Sequence, residues 1–129
     1  MNDINKAISI DPKNTLFYDN RSYLWRKLEK FPKAIEDYTI ILEIYPDNIK
    51  ALINRAFCYA KVEDYAYAVS DYTTVLKLES SNTHALYNRA ISFDKLGQIN
   101  EAVSDFSKII ELEPMNANAY LNRGCCYEK

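Results

Sequence analysis

Residues 49–82 read IKALINRAFCYAKVEDYAYAVSDYTTVLKLESSN, and residues 83–116 read THALYNRAISFDKLGQINEAVSDFSKIIELEPMN. Laid one above the other, they agree in Asn54 and Asn88, Arg55 and Arg89, Lys61 and Lys95, Ala68 and Ala102, and Asp71 and Asp105. The step is 34 residues, and it continues outward in both directions. Asn20-Arg21 and Asn122-Arg123 extend the first columns, Lys27 and Lys129 the lysine column, and Asp3 and Asp37 the aspartate column. Trp25, Tyr59, Phe93 and Tyr127 keep an aromatic at one place, while Ile4, Tyr38, Tyr72 and Phe106 follow the aspartates. So many columns in one register are not chance agreement, and an internal repeat is established before any helix is assigned.

Within the period, apolar residues recur at helical spacing. Leu52, Ala56 and Tyr59 lie on one stripe, and Ala68, Tyr72, Val75 and Leu76 on a second. Polar breaks separate the stripes at Glu63-Asp64 and Gly97-Gln98. Turn-forming runs separate the periods at Pro46-Asp47-Asn48, Glu79-Ser80-Ser81-Asn82 and Pro114-Met115-Asn116. The pattern predicts an all-α chain of helix–turn–helix units at 15–48, 49–82 and 83–116. Helices are expected over 15–28 and 31–45, 49–62 and 65–79, and 83–96 and 99–113. Residues 1–14 read as the end of a preceding unit and 117–129 as the first helix of a following one. A lone helical pair cannot cover its own apolar face, so each unit needs a neighbour. The whole of 1–129 is therefore expected to be one segment of a longer array, or to stack on another copy through its open ends.

Bulk properties exclude several classes. With 48% hydrophobic residues, 2 Gly and 4 Pro, the chain can pack a core and is not a loop-rich or disordered polymer. A formal charge of −2 and a pI near 5.4 argue against general nucleic-acid binding, which needs a dominant basic surface. No apolar run approaches a membrane span, and the first residues lack the pattern of a signal peptide. Cys58, Cys125 and Cys126 are odd in number and form no C-x-x-C pair, which favours free thiols in a reducing, cytoplasmic setting. His84 is the one histidine, without a paired nucleophile or metal-ligand spacing, and no glycine-rich phosphate loop exists. Neither an enzyme, nor a cofactor, nor a metal site is expected.

Numbered so that Asn54 is the sixth residue of its period, the chain resembles the tetratricopeptide repeat family along essentially its whole length. The small residue at place 8 is Ser22, Ala56, Ala90 and Gly124; the aromatic at place 11 is Trp25, Tyr59, Phe93 and Tyr127. The alanine at place 20 is Ala34, Ala68 and Ala102, and the closing proline is Pro12, Pro46 and Pro114, with Ser80 departing from the pattern. The resemblance implies a right-handed α–α superhelix, a solenoid, acting as a non-enzymatic scaffold for a protein or peptide partner. It further implies a concave groove lined by places 2, 5, 6, 9, 12 and 13 of each first helix, a spacing that puts them on one side.

That groove would carry an asparagine ladder, Asn20, Asn54, Asn88 and Asn122, whose amides suit the repeating N–H and C=O of an extended peptide. Lys27, Lys61, Lys95 and Lys129, with Lys50, would make a basic strip that favours an acidic partner. Ile53, Phe57, Tyr87 and Ile91 would supply apolar anchors, as would Leu121. A structural spacer or self-assembly module is the alternative use of the array. Chaperone-binding relatives use a carboxylate clamp with Lys at place 5 and Asn at 9 of one unit, Asn at 6 of the next, and Lys at 2 with Arg at 6 of the third; of these, this chain has Asn at 6 throughout and Lys50 as its one Lys at place 2. Here place 5 holds Asp19, Ile53 and Tyr87, place 9 holds Tyr23, Phe57 and Ile91, and no unit has Arg at 6, which argues against that clamp. The arginine column stands where the family more often has leucine, so each arginine should be solvated or paired. Arg55 is expected to bond Asp37 or Asp71, and the sequence leaves that choice open.

Overall fold

Each turn between periods ends in an asparagine, and that asparagine starts a helix. In the computed structural model, which describes residues 1–129, Asn48, Asn82 and Asn116 each accept the backbone N–H three residues on at 3.0 Å. Asn14 accepts from Leu16 at 3.1 Å. An asparagine side chain at this place satisfies one of the N–H groups that a helix start leaves open. Eight helices follow: α1 (Asn2–Ile10), α2 (Thr15–Lys27), α3 (Phe31–Ile44), α4 (Ile49–Lys61), α5 (Tyr65–Leu78), α6 (Thr83–Lys95), α7 (Ile99–Leu112) and α8 (Ala117–Tyr127). There are no strands, and the principal contacts run between consecutive helices. This is the quasi-one-dimensional packing of a helical repeat solenoid.

The first helix of each unit stops in the same way. Glu29, Glu63 and Gly97 take left-handed φ values of 57°, 63° and 78°. The next N–H then reaches back to the helix, Lys30 to the Trp25 carbonyl, Asp64 to Tyr59 and Gln98 to Phe93, each at 2.8 Å. That is the Schellman arrangement, which uses carbonyls the helix end would otherwise leave unpaired. The second helices end on extended residues. Tyr45 and Glu113 precede prolines, which disfavour the helical conformation in the residue before them. Glu79, which precedes Ser80, adopts the same conformation (φ −137°, ψ 86°), so the turn keeps its shape without proline.

Small and large residues alternate through the interior. Ala34, Ala68 and Ala102 on second helices, and Ser22, Ala56 and Ala90 on first helices, are all completely buried. Their size lets the helices approach, and Tyr38, Tyr72 and Phe106 fill the space beside them, each at most 2% exposed. Full burial of one such aromatic contributes about 1.5–3 kcal/mol before entropy is subtracted. Cys58 lies in the same core, and burial pushes its thiol up to about 11. The three cysteines are free, with Cys125 exposed.

The arginine column proves to be a staple across three helices. Arg55 donates through Nε and Nη2 to the two carboxylate oxygens of Asp71, at 2.8 and 2.7 Å. Its Nη1 donates to Thr39 Oγ1 of the preceding unit at 3.1 Å. Arg89 repeats this with Asp105 and Thr73, and Arg21 with Asp37 and Asn5. The open choice for Arg55 is thus resolved: its partner is Asp71, within its own unit, and Asp37 belongs to Arg21. A solvated pair, worth about 0–1 kcal/mol, is not what forms. The aspartates are 2–6% exposed and the arginines 19–21%, and the forked geometry saturates both carboxylate oxygens. The hydrogen bond to the aspartate raises the pKa of Arg21 and Arg55 against the opposing effect of burial.

Within residues 1–129, α8 packs mainly on α7. Tyr120 is 46% and Tyr127 67% exposed, where their equivalents elsewhere are buried or half-buried. Arg123 keeps the bond to the preceding unit, donating to Ser107 at 3.2 Å, and has no carboxylate.

Candidate functional site

Because every first helix begins at a capping asparagine, equivalent places on α2, α4, α6 and α8 come into line. Side chains bridge α2 to α4 and α6 to α8: Lys50 meets Asp19 and Arg26 meets Asn54 across the first pair, and Asn122 meets Tyr87 and Lys129 meets Asp94 across the second. Clefts open between neighbours at matching positions. One is lined by Thr15, Leu16, Asp19, Asn48, Lys50 and Ala51, another by Thr83, His84, Tyr87, Asn116 and Asn118.

The four asparagines of the column are in three different states. Asn20 is exposed and its side chain makes no hydrogen bond within the chain. The Asn54 amide oxygen accepts from Arg26 at 3.2 Å, leaving its NH2 group. Asn88 and Asn122 each donate NH2 to the carbonyl one helical turn back, His84 at 2.9 Å and Asn118 at 2.7 Å, leaving their amide oxygens. Asn122 also donates to the Tyr87 hydroxyl at 3.1 Å.

The lysines are unequal. Lys129 donates to both oxygens of Asp94, at 2.6 and 2.8 Å, and that hydrogen bond raises the pKa of its ammonium. Lys50 sits 3.4 Å from the Asp19 carboxylate. Lys27 and Lys61 are in no ion pair and lie over rings instead, 5.2 Å from Tyr23 and 5.3 Å from Phe57. Lys95 is exposed. Of these five lysines, Lys50 and Lys129 are thus in ion pairs.

The apolar anchors divide as well. Ile53, Tyr87 and Ile91 are half-buried and pack against the core, with Tyr87 edge-on to Phe106 at 5.9 Å. Phe57 is 40% exposed, and Tyr23, its equivalent on α2, 48%. Leu121 is exposed on α8.

One residue where α2 meets α4 does not recur from unit to unit. Arg26 occupies place 12, which is Ala60, Asp94 and Glu128 in the other units. Place 12 puts it on the groove side, but periodicity highlights what recurs, so nothing in the sequence sets a lone arginine apart from the other groove residues.

A tetratricopeptide repeat family model matches residues 84–114, which is nearly the whole of one unit. A comparison with curated protein sequences finds no match. Among solved structures, the first TPR of Spaghetti (RPAP3), bound to the HSP90 peptide SRMEEVD, is 28% identical over 92% of this chain and 94% of that one, with a TM-score of 0.81. The second TPR domain of the human RPAP3 protein, in complex with the HSP70 peptide SGPTIEEVD, is 31% identical over 87% of this chain and 93% of that one, with a TM-score of 0.79. MamA shares the fold, with a TM-score of 0.90 at 18% identity over 97% of this chain and 73% of that one. No helix is long and apolar enough to cross a membrane. The 34-residue register, the small-residue and aromatic columns, and a relative matched across nearly its full length all place the chain in the tetratricopeptide repeat family.

Proposed function

We propose that this chain is a non-catalytic protein-interaction scaffold that holds an extended peptide segment along the face formed by α2, α4, α6 and α8. One observation carries the proposal. Along that face, asparagine amides with unused hydrogen-bonding groups alternate with half-exposed rings at Tyr23 and Phe57. Such a surface can pair a peptide backbone through the amides and seat its side chains on the rings. The similar domains solved with chaperone peptides support peptide binding as the use of this fold. They do not bring the carboxylate clamp with them, because Asp19, Ile53 and Tyr87 occupy its lysine place and Asp19 is engaged with Lys50.

The test uses Asn20→Ala and Asn88→Ala, which leave Arg26 and its bond to Asn54 intact. With fluorescently labelled SRMEEVD as probe, each change should weaken binding about two- to tenfold, the value of one hydrogen bond. An affinity unchanged in both variants, measured by fluorescence anisotropy, refutes the ladder as a peptide-backbone site.

A further inference from the structure

Of the five arginines, Arg21, Arg55 and Arg89 are forked onto buried aspartates, and Arg123 donates to Ser107. Arg26 has no such partner. Its guanidinium lies 6.0 Å from the Tyr23 ring centre on its own helix and 5.9 Å from the Phe57 ring centre on the next. Nη1 donates to Asn54 at 3.2 Å, and Nε is buried with no hydrogen-bond partner. Leaving a charged donor buried and unused is costly, so a position of this kind calls for an acceptor.

Its neighbours extend the arrangement. Lys27 lies on the same Tyr23 ring, and Lys61 on the same Phe57 ring. The five side chains form an alternating row: Lys27, Tyr23, Arg26, Phe57, Lys61. The ion pairs of the chain are Arg21–Asp37, Lys50–Asp19, Arg55–Asp71, Arg89–Asp105 and Lys129–Asp94, and no cation of the row is in one. Three cations held side by side repel one another, and the ring faces offset only part of that. At the other end of the face, place 12 turns acidic, with Asp94 and Glu128, and Asp94 is already bound to Lys129. The charge along the face is thus uneven, positive where α2 meets α4.

We propose that this row is an anion subsite of the groove, and that it takes the side-chain carboxylates of neighbouring acidic residues in an extended protein segment. The inference rests on the groove reading given above and names the partner's chemistry. Arg26 would donate to both oxygens of one carboxylate through its free N–H groups, and Lys27 and Lys61 would flank it. Three cations exceed the single charge of a chain end, so acidic side chains are the matching source. The rings on either side of the guanidinium would hold an apolar residue next to the acidic ones, and the uneven charge would set the direction in which the segment lies.

Three labelled probes test this with the full chain: SRMEEVD with an amidated C-terminus, the amidated counterpart SRMQQVN, and SRMEEVD as the free acid. The amidated acidic probe should bind about tenfold or more tightly than the neutral one, with the difference shrinking as salt rises. Arg26→Gln should remove that preference, and Arg26→Lys should restore part of it, since lysine keeps the charge without the planar fork. Lys61→Gln, at an exposed position that cannot act through the core, should reduce the preference by a smaller factor. The Arg26 Nε–Hε resonance should shift on titration with the acidic probe only. Equal affinity for acidic and neutral probes, or an acidic preference surviving in Arg26→Gln, overturns the proposal. A free acid gaining more than the three side-chain carboxylates together overturns the choice of side chains over a chain end. Weakening by Asn88→Ala with no effect of Arg26→Gln would leave the groove and remove the subsite, and the reverse would do the opposite. No binding of any probe, with the Arg26 resonance unmoved, refutes both.

Discussion

Arg55 and Asp71 show how one residue pair holds three helices at once. The guanidinium binds both carboxylate oxygens of Asp71 on α5 and the Thr39 hydroxyl on α3, so any motion of one helix strains two others. Removing Asp71 alone leaves a guanidinium 19% exposed beside a core, without its counter-charge. Asp71→Ala should therefore cost about 3 kcal/mol in urea denaturation. Replacing both members, Arg55→Leu with Asp71→Leu, should recover most of that loss, because apolar packing substitutes for the desolvated pair. If the double variant is as unstable as the sum of the single ones, the two residues are not coupled and the staple is wrong. Both columns are plain in the sequence, but Asp37 and Asp71 lie at similar distances from Arg55 along the chain. Which carboxylate it meets depends on how the helices cross, and spacing alone does not encode that. Arg26 was harder still to single out, because its place, like places 2, 5 and 9, varies from unit to unit.

At the scale of elements, the first helices end on a left-handed residue that is glycine only once. Gly97 takes φ 78° without cost, whereas Glu29 and Glu63 hold φ 57° and 63° with a Cβ that crowds the backbone. Glu63→Gly should stabilise the chain by about 1 kcal/mol and Gly97→Ala should destabilise it by a similar amount. Thermal denaturation of the two variants checks this, and a Glu63→Gly variant that melts lower would show that the glutamate side chain contributes something the backbone does not. The elements were the most legible part of the sequence. Each helix from α2 to α7 ends within one residue of the range its periodicity predicts, because the period constrains every unit by the others. The capping asparagines Asn14, Asn48, Asn82 and Asn116 form another 34-residue column that reads at first as ordinary turn composition. Only the hydrogen bonds show that they set where each first helix begins, and with it the alignment of the groove.

For the whole molecule, stability in a stack of repeats comes from nearest neighbours, so the uncovered face of α8 should be its weakest part. Its places 4, 8 and 11 are Tyr120, Gly124 and Tyr127; the two tyrosines are exposed, and a Cβ built on Gly124 would meet nothing within 4 Å. In the preceding unit, α7 packs Ala102 and Phe106 with Leu86, Ala90 and Phe93 at the same places, and Asp105 pairs with Arg89. Extending the chain after Lys129 with a copy of residues 96–114 supplies that helix in register and gives Arg123 the aspartate it lacks. The extension should raise the unfolding free energy by about 2 kcal/mol or more, through the tyrosines it covers and the completed arginine staple. Amide exchange localises the effect: protection should rise most in α8 and fall off through α7 and α6. The same extension with its aspartate changed to alanine should give a smaller gain, which separates the staple from apolar cover. Uniform protection along the chain, before and after extension, would mean that the helices unfold as one cooperative block, and the nearest-neighbour account of this solenoid would fail.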